Sequence, residues 1–139
     1  MGTKQRESAI SEYPEPANVL ALDELLSEEE LAVRNDVRAF VQEKIAPNIK
    51  EWYEKAHFPR EIVPEMGKQG LLGMHLEGYG CAGKSATEYG LACMELEAGD
   101  TSLRTFVSVQ GSLAMSAIHK FGSEEQNGSG CRLLRAERR

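Results

Sequence analysis

Three short polar signatures constrain this chain more than any bulk property does. Ser27-Glu28-Glu29-Glu30, Ser85-Ala86-Thr87-Glu88 and Ser123-Glu124-Glu125-Gln126 each place a serine three residues before Glu or Gln. In such a capping box the serine hydroxyl accepts a backbone amide, and the third side chain reaches back to the serine amide. The pattern satisfies amides that only a helix start leaves open. Together with the apolar spacing, these signatures read as an all-α fold built from successive helices.

The apolar spacing agrees. After the first box, Val33, Val37, Phe40, Val41, Ile45, Ile49 and Trp52 recur at intervals of three and four, a stripe on one helix face. A first helix is predicted from Leu26 to Ala56, with a kink or break at Pro47, which lacks the amide its turn requires. A second helix is predicted from Pro59 to Gly70. The glycine-rich stretch from Gly70 to Ser85 reads as a loop pinned into the core by Leu71, Leu72 and Met74. The third helix opens at Ser85, with Tyr89, Cys93 and Leu96 facing inward. A fourth covers Ser102 to Phe121 and stops at Gly122, with Phe106, Val109, Leu113, Ile118 and Phe121 as its buried face. Its β-branched residues leave a strand over Thr105–Gln110 as the alternative.

The third box is the anomaly. It announces a helix, yet Asn127-Gly128-Ser129-Gly130 follows, and the prediction is that this run stops the helix within one turn. Residues 127–139 then read as a patternless basic tail, and residues 1–21, with Pro14 and Pro16, as a flexible leader.

Charge and composition exclude several functions. Residues 127–139 hold four Arg against one Glu, so they carry +3, and the net −6 of the whole chain leaves −9 on residues 1–126. An acidic body argues against a nucleic-acid partner, which needs a phosphate-neutralising surface. No apolar run approaches the roughly 20 residues of a membrane span, and no signal-peptide core is visible. The expected setting is cytoplasmic, or the mitochondrial matrix if a presequence has been lost. Cys81, Cys93 and Cys131 form no CxxC pair and read as reduced structural thiols. His57, His75 and His119 share no ligand spacing and read as loop or surface residues. The run GYGCAGKS lacks the first glycine of a phosphate loop and follows no strand, so it is not a nucleotide site.

Several pieces in order carry a family resemblance: Gly70-Leu71-Leu72-Gly73, Met94-Glu95-Leu96-Glu97, Asp100, Arg104-Thr105, Ser108-Val109-Gln110 and Phe121-Gly122-Ser123-Glu124-Glu125-Gln126. From about Leu22 to Gln126 the chain resembles the N-terminal helical domain of acyl-CoA dehydrogenases, and within that family the glutaryl-CoA dehydrogenase branch. The resemblance implies FAD as cofactor and an acyl-CoA thioester as substrate. It also implies α,β-dehydrogenation, in which a carboxylate base takes the α-proton while hydride leaves the β-carbon for the flavin. In the family that base and most flavin contacts belong to further domains.

What the resemblance assigns to this domain is the far end of the acyl pocket. There an Arg-Ser pair binds the terminal carboxylate of the substrate beside a Glu, and the matching positions are Arg104, Thr105 and Glu97. Arginine suits the task because its guanidinium fork makes two parallel charge-assisted bonds to a carboxylate. Thr105 departs from the family Ser but keeps the hydroxyl, and its methyl narrows the site. No catalytic, flavin or metal ligand is assigned to this chain. The accompanying expectation is a family member truncated after Gln126, its tail of frameshift or splice origin, without autonomous catalysis. The alternative, from a different class, is a small helical interaction module that self-associates through exposed apolar helix faces.

Overall fold

A computed structural model describes residues 22–134, with side chains for residues 23–131. Among the described residues helices alternate with turns and loops and no strand occurs, in keeping with the predicted all-α class. Helix α1 spans Glu28–Phe40 and widens into a π-helical turn over Val41–Ile45; α2 spans Ile49–Glu54 and α3 Val63–Lys68. Helix α4 covers Ala86–Gly99, and α5 covers Thr101–Ser108. A second π-helical turn, Val109–Met115, leads into α6, Ser116–Phe121, and α7 follows over Glu124–Leu134.

The first and second boxes close in both directions. Ser27 accepts the Glu30 amide and Glu30 accepts the Ser27 amide at 2.8 Å. Ser85 and Glu88 do the same at 3.1 and 2.8 Å. The break predicted at Pro47 is present, but it begins earlier. The Ala46 amide bonds the Val41 carbonyl, five residues back, and a three-residue turn separates the wide turn from α2. Widening the turn before a proline relieves the clash of its ring with the carbonyl four residues earlier.

The core forms where α1 lies on α4 and where the Gly70–Ser85 loop lies against the Val109–Met115 turn and α6. Ile45, Met66, Leu71, Leu72, Leu96, Leu103, Val107 and Met115 are fully buried. Leu71, Leu72 and Met74 pin the loop as expected. Gly73 lets it approach. Its φ is +68°, and a Cβ there would stand 2.4 Å from the Met115 methyl. One charged pair ties α1 to α4: Arg38 donates from Nε and Nη2 to both Glu95 oxygens, each at 2.9 Å.

Two sequence expectations are corrected. On the long fourth helix the buried residues are Leu103, Val107, Gly111 and Met115, whereas Val109, Leu113 and Phe121 are exposed. The π-helical turn raises the residues per turn above 3.6, so a four-residue repeat stays on one side. Both sets repeat at four residues, and contact of Gly111 and Met115 with Gly73 decides which set goes inside. The second correction concerns the region after Gln126. Far from stopping there, α7 runs to Leu134, with its box closed at 2.8 and 3.3 Å. Asn127 and Cys131 are buried, and the bare Cα of Gly130 seats against Ile118. Tertiary packing thus holds a helix whose residues favour it poorly. The predicted leader, residues 1–21, and the last five tail residues lie outside the described residues.

Gly99, the last residue of α4, tests the α1–α4 contact. A Cβ there would lie 2.5 Å from Val41 Cγ1, a branched side chain that cannot swing aside. Gly99→Ala is therefore expected to lower unfolding stability by about 1–3 kcal/mol. Adding Val41→Ala should make the combined loss smaller than the sum of the two single losses in chemical denaturation, because the clash is then gone.

Candidate functional site

The arrangement that brings the predicted polar residues together starts at Asp100. This single extended residue, φ −160° and ψ 117°, separates α4 from α5. Its amide donates to the Leu96 carbonyl at 2.8 Å and its carboxylate accepts the Leu103 amide at 2.7 Å. It therefore ends one helix and caps the next. The reversal sets the last turn of α4 beside the first turns of α5.

Glu97 and Arg104 meet across that elbow. Arg104 Nε donates to one Glu97 oxygen at 2.5 Å, and the Thr101 hydroxyl donates to the other at 2.8 Å. Arg104 Nη1 also reaches Ser108 Oγ at 3.5 Å, one helical turn on. From α4, the Tyr89 hydroxyl donates to the same Ser108 oxygen at 3.4 Å. Tyr89, Cys93 and Glu97 recur every four residues, so they line one side of α4 opposite Arg104 and Ser108. Behind them, the His75 ring packs against Tyr89 at 5.0 Å, and its Nε2 lies 3.2 Å from the Ser116 hydroxyl. Ser116 in turn donates to the Gly111 carbonyl within the π-helical turn at 2.8 Å.

The predicted site residues thus divide. Arg104 and Glu97 are paired. Thr105 is exposed, one residue on from Arg104 and so turned about 100° around the helix. Glu95, two residues before Glu97, faces away and belongs to Arg38. Sequence reasoning missed that Ser108 meets Arg104 and that Tyr89 reaches the pair through Ser108; His75 lies in the loop as read, with its Nδ1 buried. The four-residue spacings 89–93–97 and 104–108 were the available signal. Separately, a cavity of about 350 Å³ opens beside α2, lined by Trp52, Phe58, Asp100 and Ser102 among others, but by neither Arg104 nor Glu97. Among the described residues no three His, Cys, Asp or Glu side chains converge as a metal site. Nor is any helix there long and apolar enough to cross a membrane.

The Arg104 guanidinium, and secondarily the Thr101 hydroxyl, hold the Glu97 carboxyl below its ordinary 4.5. A depressed folded-state pKa stabilises the fold above the unfolded value, and that stabilisation is lost as pH falls through the folded one. Carboxyl-carbon NMR should show Glu97 titrating below 4.5. In Arg104→Ala its midpoint should return toward 4.5; an unmoved midpoint would separate the two residues.

Comparison with known proteins agrees with this architecture. The acyl-CoA dehydrogenase N-terminal domain profile matches residues 27–129. An acyl-CoA dehydrogenase of Bacillus subtilis is 33% identical over 102 residues, covering 73% of this chain and 27% of that protein. The mitochondrial short/branched chain specific acyl-CoA dehydrogenase of Bos taurus is 30% identical over 108 residues, covering 77% and 25%. Among solved structures, a glutaryl-CoA dehydrogenase of Mycobacterium smegmatis in complex with FADH2 superposes with a TM-score of 0.82 at 51% identity, over 85% of this chain and 31% of that one. Butyryl-CoA dehydrogenase of Megasphaera elsdenii superposes at 0.70 with 26% identity, over 79% and 30%. The chain accordingly spans about a third or less of each of these proteins, and it belongs to the acyl-CoA dehydrogenase family, matching its N-terminal domain.

Proposed function

We propose that this chain forms the wall at the acyl end of a dehydrogenase acting on a glutaryl-type thioester, with Arg104 receiving the substrate's terminal carboxylate. The observation that carries the reading is the state of the Arg104 guanidinium. Its Nε edge is held by Glu97 and one Nη1 proton by Ser108, so two of its five N–H groups are engaged among the described residues. The others suit a second carboxylate. Glu97 orients the fork and keeps it charged, and Thr105 adds a hydroxyl one residue on. The likeness to the Mycobacterium smegmatis glutaryl-CoA dehydrogenase supports the choice of substrate class.

The same reading assigns this chain, acting alone, no dehydrogenation. A base at the thioester α-carbon needs a carboxylate held for that task. On α4, Glu88 is engaged by Lys84 and Ser85, Glu95 by Arg38 and Glu97 by Arg104, and the family resemblance assigns the base to a further domain. In this reading the family cofactor FAD, which accepts the hydride, takes most of its contacts from the further domains of the family. A cytoplasmic setting accompanies the proposal.

A direct test exchanges residues 27–129 for the matching segment of the Mycobacterium smegmatis enzyme and compares glutaryl-CoA with butyryl-CoA. Arg104→Ala should lower kcat/KM for glutaryl-CoA at least about thirtyfold, the worth of a charge-assisted pair. Butyryl-CoA should change little; equal losses on both would remove Arg104 from the role.

A second reading rests on the exposed stripe of Val109, Leu113 and Phe121, which are 48%, 65% and 79% accessible. In it the isolated chain self-associates through this face. Sedimentation velocity should then show mass rising with concentration, and Leu113→Glu should restore a monomer. A wild-type chain monomeric at all concentrations ends that reading.

A further inference from the structure

The hydroxyl of Tyr89 lies behind the proposed carboxylate site and touches it only through Ser108. A serine hydroxyl has one proton and two lone pairs. Here Tyr89 donates to Ser108 Oγ at 3.4 Å and Arg104 Nη1 donates to it at 3.5 Å. With both lone pairs facing donors, the serine proton is the valence left to offer an acceptor. The acceptor that fits beside a guanidinium is an anionic oxygen. Both contacts are long, as expected for a ligand site that tightens when filled. The Tyr89 ring cannot drift away, because His75 packs on it at 5.0 Å and is itself anchored to Ser116.

We infer that Tyr89 is a positioning residue that selects dicarboxylyl over monocarboxylyl thioesters, by orienting the Ser108 hydroxyl as a donor to the terminal carboxylate. This inference deepens the Arg104 reading and rests on it. It adds to the predicted Arg104, Thr105 and Glu97 a hydroxyl relay from α4 that reaches the substrate through α5. The discrimination comes from one hydrogen bond made only when a carboxylate is present.

The experiment uses the full 139-residue chain, isotopically labelled, and follows the Arg104 Nε–H resonance. The probes are S-glutaryl-N-acetylcysteamine and S-butyryl-N-acetylcysteamine, which differ in the terminal carboxylate. Tyr89→Phe keeps the ring and its packing on His75. It should raise Kd for the glutaryl probe about three- to tenfold, the worth of one hydrogen bond, and leave the butyryl probe unchanged. Ser108→Ala should produce a similar loss, and the double variant little more than Ser108→Ala alone, because both act on one bond. If Arg104→Ala weakens the glutaryl probe and Tyr89→Phe does not, the relay is overturned while the Arg104 reading stands. If Tyr89→Phe weakens both probes equally, Tyr89 is structural and the inference fails. If the glutaryl probe does not perturb Arg104 in the unaltered chain, or binds equally well to Arg104→Ala, both readings fall together.

Discussion

The geometry of the site depends on one residue, Asp100. Its amide closes α4 and its carboxylate opens α5, so the two helices are joined by a single extended peptide. A longer or looser link would let α5 rotate about its own axis. With the link fixed, the first two turns of α5 present Arg104 and Ser108 to the stripe Tyr89, Cys93 and Glu97. The ion pair, the tyrosine hydroxyl and the serine then meet without any of them determining the fold. The site is a consequence of a helix cap.

The frame around that elbow is held by close packing. Arg38 grips Glu95 with two donors of one guanidinium edge, bringing α1 onto α4, and Gly99 lets Val41 settle against the end of α4. On the other side, Gly73 and Gly111 allow a loop backbone to lie on a helix backbone, with Met115 filling the gap. The π-helical turn at Val109–Met115 sits at this crossing. Its irregular ladder is supported by Ser116, which bonds the Gly111 carbonyl, and by His75 behind it. Irregular helix, close glycine contact and partly buried histidine are thus one local solution, placed directly behind the polar site.

Acidic and basic groups near the elbow take sharply separate duties. Glu95 and Glu97 are two residues apart, and the helix turns them to different partners, one structural and one in the candidate site. This is why a count of carboxylates in the Met94–Glu97 motif says little about chemistry, while their side of the helix says much. Thr105 illustrates the same rule. It adjoins Arg104 in sequence, yet Ser108, four residues on, is the hydroxyl within reach of the guanidinium.

The sequence by itself determined the helical class, the positions of three helix starts and the pinned loop at Leu71, Leu72 and Met74, while Arg104 and Glu97 entered as site candidates through the family resemblance. These are local matters: a capping box, an apolar period and a glycine-rich break act over a few residues, and the chain carries them in plain order. Only the tertiary structure decided which four-residue stripe of the long helix enters the core. Leu103–Met115 and Val109–Phe121 have the same period, and the choice is made by Gly73 from another part of the chain. It also decided that α7 persists past Asn127 and Gly128. Local propensity there argues against a helix, and the burial of Asn127 and Cys131 outweighs it. Tyr89, Ser108 and His75 were hidden for the same reason: partnership across helices depends on how helices face, which no short window of sequence specifies.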